Sequence, residues 1–332
     1  EAYGGMIDNT WMDRPLTIAG RAFVKEGNRV ISKLLYIDKD LLLIPNVAIH
    51  FNRDVNKGVA LNRQVDLCPL FSCGKAKEGD FRKMVARHLG VEEDQLLAVD
   101  AFLVNRQKPV IWGLEDEFVS SPKLDDLQCA FVSLKALLAS HNEKDISVFC
   151  CFDNEEVGSN TKQGAMSTFF VDTLKRIHCS LGKTESEYYP AIAKSFMVSC
   201  DNAHAVHPNH PKKTDAVNCA YMNKGVVIKE SANQKYTTDA FSRSVFMEIC
   251  HKANMPYQTF ANRSDSLGGS TLGNLSNTQV SLHCVDIGLP QLAMHSTFET
   301  GGVEDTATTI EILKTFYDTD IEIHNFDSVD FN

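Results

Sequence analysis

The stretch ISVFCCFDNEEVGS, residues 146–159, joins a continuous apolar run to a cluster of acidic and amide side chains. The run at 146–152 has the composition of a strand buried on both faces, as parallel strands usually are. Residues 153–156 follow it at once and include the adjacent carboxylates Glu155 and Glu156. Carboxylates at the end of a core strand are costly to bury unless a metal ion or a base holds them. The stretch therefore predicts a buried strand with a chemically active end.

Helices and strands alternate on both sides of this stretch. Amphipathic helices are predicted at 124–141, 165–178, 238–255 and 304–318, and strands at 146–152, 195–200, 257–261 and 280–287. This alternation predicts an α/β domain over residues 108–332, with a mainly parallel sheet flanked by helices.

Residues 1–107 have a different pattern, with β-branched and apolar segments separated by short polar breaks. Strands are predicted at 15–24, 30–37, 41–52 and 95–104, with a helix at 78–90 that Gly90 ends and a further strand segment at 109–119. The first 107 residues are therefore predicted to form a separate β-rich domain.

Charge and composition exclude several classes of function. The 332 residues carry a net charge of −10 and contain no cluster of Lys and Arg, which argues against nucleic-acid binding. No apolar run reaches the roughly 20 residues of a membrane helix. The ten cysteines include no C-x-x-C pair, and several lie in apolar segments. We therefore expect reduced thiols in a cytoplasmic protein that binds neither nucleic acid nor membrane.

Acidic and histidine residues recur at the ends of the predicted strands. They are Asp125, Glu155, Glu156, Asp201, His204, His207, His210 and His295. Ligands collect at the carboxyl ends of strands in open parallel sheets, so these side chains are expected at one edge. Their oxygens and nitrogens suit Zn²⁺ or Mn²⁺, and two ions about 3.5–4 Å apart that share a carboxylate form a two-metal hydrolase site. A neighbouring unligated carboxylate would remove a proton from water.

Each of these residues also has an ordinary interpretation. Glu155 and Glu156 suit a helix N-terminus, Asp125 suits an N-cap, and the histidines at 204–210 suit a polar loop. Their joint occurrence at four strand ends favours the metal site. The sequence has neither a G-x-S-x-G elbow nor a phosphate-binding loop, which argues against a serine hydrolase and a nucleotide-binding enzyme.

Several segments resemble the aspartyl aminopeptidases, which are cytosolic two-metal peptidases that remove N-terminal Asp or Glu from peptides. The signature-like segments are DNEEVGS, SCDNAHAVHPNH and GLPQLAMHS, and further similar ones are WMDRPLTIAGR, IPNVAIHFNR, SPKLDDLQCAF and NKGVVIKESANQKY. They occur in the family's order over nearly the whole chain. The resemblance implies a phosphorylase/hydrolase-like catalytic domain, a β-rich dimerisation domain, and a homodimer that builds a dodecamer.

The resemblance also implies the ligands of two divalent ions, taken as zinc with manganese and cobalt as alternatives. Asp125 would bridge the two ions. Glu156 and His295 would complete one site, and Asp201 would bind the other ion. Glu155 would be the general base and later the general acid.

The implied substrate contacts come from both domains. Lys229 would meet the acidic side chain of the substrate, and Tyr236 would line the same pocket. His204 and His207 would be further contacts, and His50 of the β-rich domain would reach the partner subunit's active site. Other interpretations stay open: a solvated strand end for Lys229, packing for Tyr236, and a surface or core histidine for His50.

The sequence departs from the family's pattern at its beginning. Family members carry an early His that completes the second metal site, with an Asp two residues later, and this chain starts after that segment. We expect the first part of the catalytic domain to lie outside the given sequence or to be absent from the protein. Two alternatives follow: a related two-metal aminopeptidase of different specificity, or a catalytically impaired shell protein that only assembles.

Overall fold

A computed structural model describes residues 1–325 and 328–332. The chain divides into two compact units: residues 6–108 with residues 1–2, and residues 109–332 with residues 3–5. Short 3₁₀ helices occur at Asp8–Trp11, Val55–Lys57, Glu93–Gln95, Glu155–Val157 and Pro211–Lys213. None of the helices in the described part of the chain is long and apolar enough to cross a membrane.

The first unit contains an antiparallel sheet and one helix. Its elements are β1 (Leu16–Glu26), β2 (Arg29–Tyr36), α1 (Asp80–Leu89) and β3 (Leu96–Asn105), and the strand order is β2-β1-β3. Leu16, Ile18, Ala22 and Val24, which share one face of β1, are buried, as the covered face of a sheet requires. Helix α1 ends at Gly90, whose φ of 67° lies in the left-handed region that glycine adopts without strain. The strands predicted at 15–24, 30–37 and 95–104 and the helix predicted at 78–90 are confirmed.

The segment 41–52 is not the strand predicted from its apolar composition. Only isolated bridges form, such as the one between Leu42 and Leu16, and the chain then turns. Pro45 has no N–H to give to a ladder. The carbonyl of Ala48 accepts hydrogen bonds from the N–H groups of Phe51 and Asn52, which closes a turn. His50 therefore lies in an exposed turn and not on a strand.

The second unit contains three sheets. Its strands are β4 (Val110–Trp112), β5 (Phe118–Ser121), β6 (Phe196–Cys200), β7 (Ala203–His204), β8 (Val226–Glu230), β9 (Tyr257–Ala261), β10 (His283–Gly288), β11 (Pro290–Leu292), β12 (Glu299–Gly302), β13 (Ile321–Asn325) and β14 (Ser328–Phe331). The strand orders are β6-β10-β8-β9, β4-β5-β12-β11-β7 and β13-β14. The four-stranded sheet has parallel pairs at β6/β10 and β8/β9 and an antiparallel pair at β10/β8.

The second unit contains six α-helices among its described residues. They are α2 (Leu124–Ala139), α3 (Phe169–Ser180), α4 (Glu185–Ala193), α5 (Ala240–Lys252), α6 (Leu272–Ser276) and α7 (Val303–Asp318). Val132 of α2, Phe246 of α5 and Ile312 of α7 are fully buried with Ile228 of β8 and Ile287 of β10. This core fixes the strand ends on which the site is built. The predicted α/β fold class is confirmed.

The apolar run at 146–152 is not a strand in this structure. Its residues are exposed or half-buried, and Ile146 is 64% exposed. Apolar composition favours burial, but a strand also needs a neighbour that takes its N–H and C=O groups. None of the described strands pairs with this run. The carboxylates that follow it lie on the short 3₁₀ helix Glu155–Val157.

Candidate metal centre

Four separated segments of the second unit supply the predicted metal ligands. Asp125 follows β5 and has a non-helical backbone at the start of α2. Glu156 lies on the 3₁₀ helix, Asp201 comes directly after β6, and His295 follows β11. His295 has a φ of 68°, in the left-handed region that is uncommon outside glycine. His295 thus has an uncommon backbone conformation at the position of a proposed metal ligand.

Asp125, Glu156 and His295 form one group that could hold a metal ion. One donor atom from each lies within 4.8 Å of the others. The His295 Nε2 atom is 3.3 Å from Asp125 Oδ2 and 3.1 Å from Glu156 Oε2. Asp125 Oδ1 is buried and has no hydrogen-bond partner among the described residues. An unpartnered buried carboxylate oxygen beside a second carboxylate and an imidazole fits a divalent cation.

A second group shares Asp125 and adds Asp126 and Asp201, again with donor atoms within 4.8 Å. Asp125 thus belongs to both groups, as a carboxylate that bridges two ions must. The sequence analysis did not select Asp126, although its position next to Asp125 could have indicated it. Burial raises the pKa of Asp126 well above its usual range, and the charge of Asp201 raises it further. A cation would relieve this concentration of buried negative charge.

Glu155 lies beside both groups but belongs to neither. Burial raises its pKa to about 7, and the charges of Asp201, Glu156 and Asp125 act in the same direction. A carboxyl group with a pKa near neutrality can both accept and return a proton. This arrangement suits the predicted roles, in which Glu156 binds a metal ion and Glu155 transfers protons.

Lys229 is buried beneath Asp201, with a side chain only 3% exposed. Its Nζ donates to the backbone oxygens of Asp201 at 2.6 Å and Asn202 at 3.3 Å, and lies 3.6 Å from Asp201 Oδ2. Burial alone would lower the pKa of Lys229, but the charges of Asp201 and Asp286 raise it overall. The interpretation of Lys229 as a solvated strand end is therefore wrong. Tyr236 is also buried, and the centroid of its ring lies 5.2 Å from the Lys229 Nζ.

His204 and His207 line a cavity of about 240 Å³. Gln291 and Ala293 also line it, and the latter is two residues from His295. Lys213 contributes a positive charge to its wall. The cavity thus adjoins the segment that carries His295. His50 belongs to the other compact unit, and its contact with the partner subunit's active site stays a prediction.

Asn202 is a buried residue of the site that the sequence analysis missed. Its Nδ2 donates to the carbonyl of Leu124 at 3.1 Å and to Gln291 Oε1 at 3.1 Å, and its Oδ1 accepts from the Cys129 thiol at 3.1 Å. Asn202 therefore joins the loop after Asp201 to the residue before Asp125. Asparagines are common in loops, so the sequence alone gave no signal for this role.

Comparison with known proteins gives consistent matches. The family model described as "Aminopeptidase I zinc metalloprotease (M18)" matches residues 1–317. Proteins named "Probable M18 family aminopeptidase 2" are 46% identical in Clostridium novyi and 44% identical in Clostridium acetobutylicum. Each alignment spans 322 residues, which is 96% of this chain and 74% of the relative.

Solved structures extend the match to the fold. The cryo-EM structure of the Ape4 and Nbr1 complex contains a chain that is 34% identical, with a TM-score of 0.89 over 96% of this chain. This chain spans 65% of that one, just under two thirds of its length. The crystal structure of prApe1 is 26% identical with a TM-score of 0.87, over 95% of this chain and 71% of that one.

Proposed function

Because the chain belongs to the aminopeptidase I zinc metalloprotease family, M18, we propose that it is a metalloaminopeptidase that removes acidic residues from the N-termini of peptides. The family match confirms the resemblance drawn from the motifs, at the level of the M18 family. The observation that carries the proposal is the sharing of Asp125 by two groups of metal-binding side chains, with Glu155 beside them.

We assign the metal ligands as follows. Asp125, Glu156 and His295 would hold one divalent ion, and Asp125 and Asp201 would hold a second, with Asp126 within reach of it. The family description supports zinc, and manganese and cobalt suit the same donors. When bound, such ions polarise a scissile carbonyl and lower the pKa of a water.

Glu155 performs the proton transfers in this proposal. Its carboxylate accepts a proton from the attacking water and returns it to the amine of the leaving peptide. Burial, the largest cause of the raised pKa of Glu155, favours the protonated form that returns the proton. Since Glu155 lies outside both ligand groups, its oxygens are available for these transfers.

The preference for acidic N-termini is assigned to Lys229, Tyr236, His204 and His207. The cavity lined by the two histidines also carries Lys213 and Arg263 against the single carboxylate of Asp215, so its charge suits a carboxylate side chain. One observation favours a second candidate, a related aminopeptidase of different specificity: the Lys229 ammonium is already bonded to the backbone of Asp201 and Asn202.

We also propose that the first unit mediates homodimer contacts within a dodecamer, and that His50 reaches the partner subunit's site. One structural relative is described as a dodecamer. Val30 and Leu34 of β2 are 63% and 82% exposed, which suits a protein contact. All ten cysteines are free, which supports a reducing compartment such as the cytoplasm.

Hydrolysis of matched peptides tests the proposal. The chain would be assayed on substrates that differ only in an N-terminal Asp, Glu or Leu, each with Zn²⁺, Mn²⁺ or Co²⁺ and with a chelator. We expect metal-dependent cleavage that prefers Asp and Glu. Equal cleavage of the Leu substrate would favour the second candidate. No cleavage with any metal would favour the protein that only assembles.

A further inference from the structure

We propose that Glu299 is a positioning residue, which holds two of the metal ligands by their backbone N–H groups. The inference rests on the proposed metal site and adds a residue that does not itself bind metal. Glu299 is the first residue of β12 and is only 2% exposed. A buried carboxylate needs partners for its oxygens, and those partners identify its role.

Both oxygens of Glu299 accept hydrogen bonds from metal ligands. Oε2 accepts from the backbone N–H of Asp125 at 2.9 Å, and Oε1 accepts from the backbone N–H of His295 at 2.7 Å. Asp125 lies 174 residues earlier in the chain and His295 only four residues earlier. One carboxylate thus fixes the spacing between two segments that must meet at the same ion.

The backbone of His295 requires such support. Its φ of 68° is a conformation that a non-glycine residue keeps only where the surroundings impose it. Glu299 Oε1 fixes its N–H, and the ring Nδ1 lies 2.8 Å from the carbonyl oxygen of Gly5. An Nδ1–H that donates to this carbonyl leaves Nε2 free to bind a cation. The residue is therefore held at both its backbone and its ring.

Glu299 itself is held on a sheet. Strand β12 pairs antiparallel with β5, with Glu299 opposite Ser121, and Asp125 comes four residues after Ser121. In the next pair, the hydroxyls of Ser120 and Thr300 lie 2.7 Å apart. Glu299 therefore lies on one strand of this pair, and the other strand leads directly to Asp125. A site on paired strands is held more precisely than one on loops.

The test compares two isosteric variants, Glu299→Gln and Asp305→Asn. Asp305 is the matched control because it is 1% exposed and its two oxygens accept from the backbone N–H groups of Asn223 at 2.6 Å and Gly225 at 3.0 Å. Each amide variant places an NH₂ group against a backbone donor. Only in the Glu299 variant do these backbone donors belong to proposed metal ligands, Asp125 and His295.

Zn²⁺ and Co²⁺ affinity would be measured by calorimetry, together with the absorption spectrum of bound Co²⁺. We expect Glu299→Gln to weaken binding by about 10–100-fold and to change the Co²⁺ spectrum, as loss of a residue that orients metal ligands does. Asp305→Asn should keep the wild-type affinity and spectrum. Wild-type binding by Glu299→Gln, or equal weakening by both variants, would overturn the inference. A wild-type chain that binds neither metal would overturn the proposed metal site as well.

A measurement on the wild type covers the case in which the Gln variant does not fold. The amide hydrogen of His295 should exchange slowly with solvent, because it is bonded to a buried carboxylate. The exposed amide of Leu267 gives the reference for fast exchange in the same sample. If the amide hydrogen of His295 exchanges as fast as that of Leu267, the proposed hydrogen bond from His295 to Glu299 is contradicted.

Discussion

Glu155 is the residue whose role can be separated most cleanly from metal binding. Glu155→Gln keeps the size of the side chain but removes its ability to accept a proton. We expect turnover to fall by about 10²–10⁴-fold, the usual contribution of a general base, with metal affinity unchanged. Initial rates and metal titrations on the same samples check this. Near-normal turnover would assign the proton transfer to another group.

Lys229 lies beside Asp201 and is also assigned to the proposed substrate preference. Its Nζ bonds to the Asp201 carbonyl, so Lys229→Ala removes a buried cation from beneath an acidic cluster. We expect loss of the preference for Asp over Leu substrates. We also expect weaker binding of the second ion, because the backbone of Asp201 loses the donor that holds it. Lys213→Ala is the control for the metal effect only, since it removes a cavity cation that is not bonded to Asp201 and should leave metal binding unchanged. Unchanged selectivity in Lys229→Ala, with weaker metal binding alone, would make Lys229 a positioning residue only.

The sequence predicted the ligands that have a recognisable chemistry and missed the residues that hold them. Asp125, Glu156 and His295 are chemically distinctive at the ends of their segments, and the structure brings their donor atoms together. Glu299 and Asn202 each make a hydrogen bond to a backbone group that is distant in the sequence. Such contacts depend on the folded path of the chain, so local patterns cannot indicate them.

At the scale of elements, the sequence predicted what local periodicity determines. Helices α1, α2, α5 and α7 and strand β6 lie where their patterns place them. The segments 41–52 and 146–152 are apolar but are not strands, because strand formation also depends on a partner that composition does not specify. Short elements such as β11 and β12 were missed because they have too few residues to show a period.

The start of helix α7 gives a prediction for pH dependence. Burial raises the pKa of Asp305 from 3.8 to about 6, although its hydrogen bonds to Asn223 and Gly225 oppose the shift. A raised pKa in the folded state means that its stabilising contribution is present below pH 3.8 and is lost as the pH rises through 6. The expected change is at most about 3 kcal/mol.

Asp305→Asn removes this titration. The free energy of unfolding of wild type and variant would be measured by denaturant titration between pH 4 and 7. We expect the wild type to lose stability relative to the variant as the pH rises across this window. A difference that is constant with pH would show that Asp305 titrates normally in the folded protein.

At the scale of the whole molecule, the proposed assembly depends on the first unit. Leu34 is 82% exposed on β2, so Leu34→Glu places a charge in the proposed dimer contact. We expect a smaller sedimenting species and lower activity, because His50 would no longer reach a partner's site. Leu267→Glu is the control, as Leu267 is fully exposed in the second unit. An unchanged sedimentation coefficient for Leu34→Glu would exclude β2 from the interface.

The central claim is that Asp125 bridges two metal ions. Anomalous diffraction from crystals of the full chain grown with Zn²⁺ or Mn²⁺ tests it most directly, because it locates each ion and its ligands. We predict two peaks about 3.5–4 Å apart. Asp125 should contact both, with Glu156 and His295 at one and Asp201 at the other. Two ions without Asp125 between them, or no ion at Asp125, would contradict the account.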